Sequence, residues 1–120
     1  MVEIMIVVAV VGLLGALAVP NLVLARKTSQ TNACINNLRE IDQAKQQWAL
    51  ENGKQATDTP GAVALQVYLG RGTAGSVSNV VCPLAPTAYL GASGGYSINA
   101  VGVPPTCPQA NSTNHNAVLN

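Results

Sequence analysis

The chain has 120 residues and a mass of 12.3 kDa, room for one domain at most. Hydrophobic residues make up 48% and charged residues 9%, far below the ~25% of typical soluble domains. A net charge of +1 excludes a nucleic-acid footprint or an acidic tail, and one His with five carboxylates leaves little material for a catalytic cluster. A membrane-linked or secreted structural protein remains.

After Glu3 no formal charge appears until Arg26, and Ile4 to Val19 reads IMIVVAVVGLLGALAV, diluted only by Gly12 and Gly15. As a helix, Ile4 to Ala25 would reach roughly 30 Å, the thickness of a bilayer core. Three readings compete for this segment. A buried core helix would need more chain around it than the remainder supplies. A cleaved secretory signal fits Ala16-Leu17-Ala18 before a cut, but Met1-Val2-Glu3 offers no positive n-region. A retained membrane helix is left, and it makes Glu3 notable. A carboxylate deep in hydrocarbon costs ~2.5–3.5 kcal/mol, so it is either solvated at the interface or paired with a cation of a neighbouring chain.

Arg26 to Asn52 continues as a helix. Cys34, Leu38, Ile41, Lys45 and Trp48 recur every three or four residues, with Ile35 and Ala44 beside them, as one apolar stripe. Arg39, Glu40, Asp42 and Lys45 occupy or border the solvated side, where Asp42 and Lys45 form an i,i+3 pair. Asn52-Gly53 is a C-terminal stop. A single helix from about Val2 to Glu51 is predicted, bent at Pro20, which lacks a backbone donor and crowds the preceding turn.

Beyond it, Asp58-Thr59-Pro60 is read as a cap with proline at the first helical position, opening a short helix over Ala62 to Leu69 that Gly70 ends. Val77 to Cys82, Ala88 to Leu90 and Tyr96 to Val101 follow as strand candidates. The last alternates Tyr96, Ile98 and Ala100 against Ser97, Asn99 and Val101. The glycines from Gly91 to Gly95 make a turn. The predicted fold class is α+β: a long N-terminal helix, apolar in its first half and amphipathic in its second, with a small antiparallel hairpin or sheet on the Cys34 to Trp48 face. Residues 1–25 would form the membrane or filament-core segment and 26–120 the small globular region.

Val2 to Asn21 resembles the amino-terminal region of type IV pilins and type II secretion pseudopilins, the prepilin-type methylation region. The combination of Glu3 near the start, an unbroken apolar run, Pro20-Asn21 at its end and a basic helix afterwards carries the resemblance. Cys34 to Asn52, Cys82-Pro83 and Thr106-Cys107 further resemble a group of short bacterial prepilin-like proteins. The resemblance implies a lollipop-shaped fold and a structural role as a pilin, minor pilin or pseudopilin. It implies an inner-membrane location before assembly, with the C-terminal part outside the cytoplasm, and an extracellular or periplasmic filament afterwards. Its implied partners are further copies of the chain and the assembly machinery: prepilin peptidase, platform protein and ATPase. Glu3 would pair with a neighbour's terminal amine, and Pro20 would mark a point of local unwinding.

Two features depart from that pattern. The family carries a basic leader ending in Gly, then Phe and a small polar residue, ahead of the Val2-Glu3 pair, and Met1 stands in that place. By the positive-inside rule alone Arg26 and Lys27 would put the C-terminal part in the cytoplasm, and here the expectation follows the resemblance. Secretion pseudopilins also resemble one another in a C-terminal calcium loop, yet from Gly72 onward this chain has no Asp or Glu. A pilin or minor pilin is therefore preferred, with a secreted or membrane-anchored binding module as the alternative.

No enzyme, metal or cofactor is expected. His115 lies between Asn114 and Asn116 near the C-terminus with no acid in sequence to orient it, and zinc spacing such as C-x-x-C is absent. Asn111-Ser112-Thr113 matches a glycosylation acceptor, a pattern frequent by chance. Three cysteines allow three pairings. Cys34 fits the helix stripe as a small buried hydrophobe, while Cys82 and Cys107 both precede prolines and flank the Tyr96 to Val101 stretch. A Cys82–Cys107 disulfide contributing ~3 kcal/mol, with Cys34 left as a thiol, is the expectation.

Overall fold

The structure is a computed structural model, and it describes residues 1–69 and 80–109. Helix α1 runs without interruption from Val2 to Asn52. At 1.5 Å per residue such a helix is about 76 Å long, and the molecule measures 76 × 29 × 23 Å, so α1 sets its long axis. Pro20 sits inside the helix without ending it. Its missing N–H removes one intrahelical bond, which neighbouring turns tolerate. The helix ends at Gly53, whose backbone adopts the left-handed conformation (φ 60°, ψ 36°) and whose N–H reaches the carbonyl of Ala49. The Asn52-Gly53 stop is found where it was predicted.

The two halves of α1 have opposite environments. Residues 1–29 are exposed along their whole length. From Cys34 onward, Cys34, Leu38, Ile41, Ala44, Lys45 and Ala49 are buried, at the three- and four-residue spacing that returns to one helix face. The rest of the described chain folds back on that face. Leu65, Leu69, Val80, Cys82, Leu90, Tyr96, Ile98 and Cys107 complete the core, with Ile35 and Trp48 partly buried against it.

The covering layer is mostly turns and loops, with a minimal antiparallel strand element where a hairpin or small sheet was predicted. Helix α2 is only Ala62–Leu65 and is capped by Gly61 rather than by the Asp58-Thr59-Pro60 run. Asp58 instead accepts the backbone N–H of Gln55 at 2.9 Å, closing the turn after α1. Strands β1 (Val81–Cys82) and β2 (Ala85–Tyr89) pair antiparallel with an irregular register. Val77 to Asn79 of the predicted first strand lie outside the described residues, as do Gly70 and the segment with Asn111 and His115. Tyr96 to Val101 is not a strand. Tyr96 and Ile98 are buried and Ser97 exposed, as alternation requires, but Asn99 turns to positive φ (58°) and the chain doubles back. The only ladder contact of this segment among the described residues is a bridge between Ser97 and Thr106, closed by N–H···O bonds of 2.9 and 3.0 Å. With Gly95, Pro104 and Pro105 nearby, the sequence has too few consecutive strand formers to extend that bridge.

Candidate functional site

Two regions hold the residues that the sequence singles out, one on the exposed first half of α1 and one where the rest of the chain packs on its second half. Glu3 occupies the first turn and Pro20 lies 17 residues on, about 25 Å away along a straight helix. Both are exposed, as are the apolar side chains between them. The helix is long and apolar enough to cross a membrane by length and composition, and none of its apolar window is covered by the rest of the chain. A signal sequence near an N-terminus has the same length and character.

The second region is a buried cysteine cluster. Cys34 comes from α1, Cys82 from β1, and Cys107 from the loop after the Ser97–Thr106 bridge. All three side chains are buried and all three are thiols. Their sulfurs lie within 4.8 Å of one another, with 3.6 Å between Cys82 and Cys107. The two residues expected to form a disulfide are thus adjacent, but Cys34, read from sequence as a separate buried thiol, belongs to the same group.

The cluster is held by a short polar chain. The Tyr96 hydroxyl donates to the Cys34 sulfur at 3.2 Å, and the Asn37 amide donates both to the Tyr96 oxygen and to the Val81 carbonyl, each at 3.2 Å. Burial pushes the pKa of Cys34, Cys107 and Tyr96 up, and the hydrogen bond from Tyr96 pulls the Cys34 thiol partly back.

Lys45 is the structural anchor that sequence reading missed. It is fully buried, and its ammonium donates to the carbonyls of Ile98 and Ala100 at 3.0 Å and of Val103 at 2.5 Å. Asp42, the predicted i,i+3 partner, stands 3.8 Å away and is about one-third exposed, 35%. Burial lowers the Lys45 pKa, and the Asp42 charge acts the other way. The signal was present in its position, four residues after Ile41 on the apolar stripe. Charge alone suggested the solvated border.

None of the family models, curated proteins or solved structures compared with this chain matches it.

Proposed function

We propose that the chain is a structural subunit of a type IV pilus-like or type II secretion-type filament, a pilin, minor pilin or pseudopilin, held in the inner membrane by the first half of α1 before assembly. The observation that carries this reading is the uncovered apolar rod. Residues 1–29 are exposed throughout, while the rest of the described chain packs on the same helix from Cys34 onward. A rod of this length in water would expose an apolar area that folded proteins avoid, so it needs lipid or other copies of itself. Packing between helices replaces lipid contacts at little net hydrophobic cost, which suits a subunit that leaves a bilayer for a filament. The Glu3, apolar run and Pro20 combination supports the same reading by resemblance.

Glu3 would specify assembly by pairing with the terminal amine of a neighbouring subunit, an attraction strengthened by the low dielectric of a helix bundle. The test is expression of the full-length gene beside a filament assembly system, followed by shearing of surface filaments. Wild-type chain is expected in the sheared fraction. Glu3→Ala chain is expected to stay folded in the membrane and to be poorly incorporated. A wild-type chain that inserts in the membrane but never enters filaments defeats the proposal, and normal filament yield from Glu3→Ala removes the role of Glu3.

A further inference from the structure

We propose that Cys34, Cys82 and Cys107 form a three-thiolate site for one soft, thiophilic d10 cation, with copper(I) as the ion that the geometry suits best. Three sulfurs each about 2.3 Å from a central cation, and in one plane with it, stand about 4 Å apart. The three sulfurs here lie within 4.8 Å of one another, and the closest pair is at 3.6 Å. Small side-chain rotations bring them onto a common centre.

Donor chemistry narrows the ion. Thiolates select copper(I), zinc and iron–sulfur centres, whereas calcium and magnesium require oxygen ligands. Among the described residues no fourth His, Cys, Asp or Glu joins the group. Protein zinc sites are tetrahedral, with four ligands, while copper(I) is satisfied by three. Each sulfur comes from a different chain segment, so the ion would tie α1 to β1 and to the loop that carries Cys107.

The surroundings fit thiolates as well as thiols. The hydroxyl of Tyr96 points at the sulfur of Cys34, and Asn37 fixes the Tyr96 oxygen. Donors of this kind spread the negative charge of metal-bound sulfur and orient the ligands. Thiolate ligands must give up their protons to bind, so metal uptake releases protons and affinity rises with pH. A Cys82–Cys107 disulfide is the competing fate. It would consume two ligands and leave the buried Cys34 sulfur beside the bond with no partner in it.

The test uses the full-length chain in detergent, reduced and anaerobic, titrated with copper(I) against a chromophoric copper(I) chelator. One equivalent per chain is expected to leave the chelator, with X-ray absorption showing three sulfur neighbours at about 2.3 Å. Cys34→Ser, Cys82→Ser and Cys107→Ser are each expected to weaken binding at least ~100-fold, and Tyr96→Phe, a positioning change, by ~10-fold. Should a serine variant lose its fold, the wild-type sulfur count decides alone. No uptake against the chelator, two-sulfur coordination, or zinc binding without copper binding overturns the proposal. So does chain recovered from the periplasm without reductant that carries a Cys82–Cys107 disulfide and no copper.

Discussion

The ammonium nitrogen of Lys45 lies 3.0 Å from the carbonyl oxygen of Ile98, 53 residues further along the chain. With the Ala100 and Val103 carbonyls it makes a three-point clasp between α1 and the loop that covers it. Without the ammonium the Ile98 and Val103 carbonyls lose that donor in a buried or partly buried place, while the Ala100 carbonyl keeps only the backbone N–H of Val103. Lys45→Met keeps the stem and removes the donors. It is expected to lower the stability of the cap by about 2 kcal/mol or more, read from urea unfolding followed by the fluorescence of Trp48, the single tryptophan. An unchanged midpoint would show that the clasp contributes nothing.

Gly91 is fixed by its surroundings. Its φ is +78°, and a Cβ built there would sit 2.9 Å from the Cβ of Ala62. Gly91→Val meets both the left-handed strain and that contact and should cost about 2 kcal/mol. A Cβ at Gly12 meets nothing within 4 Å, so Gly12→Ala is expected to raise helix stability by up to ~1 kcal/mol. Paired melts of the two variants check the contrast.

Alkaline pH should loosen the cap. Burial raises the pKa of Cys34 and Cys107 above the ordinary 9.0 and that of Tyr96 above 10.0. From about pH 9 upward the unfolded chain has lost protons that the folded chain keeps, so stability is full below that pH and falls as pH rises. Lys45 acts in the opposite sense, because its pKa is lowered. With reductant present, the urea midpoint is expected to be lower at pH 10 than at pH 7.5. A smaller decrease in Cys34→Ala assigns the effect to the cluster, and a midpoint that does not fall refutes it.

Between Gly12 and Pro20 the helix is weakest. Two glycines each reduce helix propensity by about 1 kcal/mol relative to alanine, and Pro20 leaves the Ala16 carbonyl without its usual donor. The single chain keeps a continuous helix there. In the proposed filament, local unwinding at Ala16 to Pro20 is expected, and a reconstruction with a straight, fully hydrogen-bonded helix through that stretch would contradict it.

The long helix was legible because its determinants are local: an uninterrupted apolar run, a stripe at helical spacing and Asn52-Gly53 as the stop. The apolar membrane-length segment was legible for the same reason. The loop-built cap was not, since alternation of Tyr96, Ser97 and Ile98 describes burial equally well in a strand or in a turn that Asn99 reverses. Nor was the place of Lys45 or the meeting of three cysteines, which depends on contacts between residues as far apart as Cys34 and Tyr96. By itself the sequence determined where a helix had to be and which half of it the chain could cover. Only the tertiary structure decided that a buried ammonium would satisfy loop carbonyls and that three sulfurs would share one pocket, because both follow from which distant segments pack together and not from any local preference.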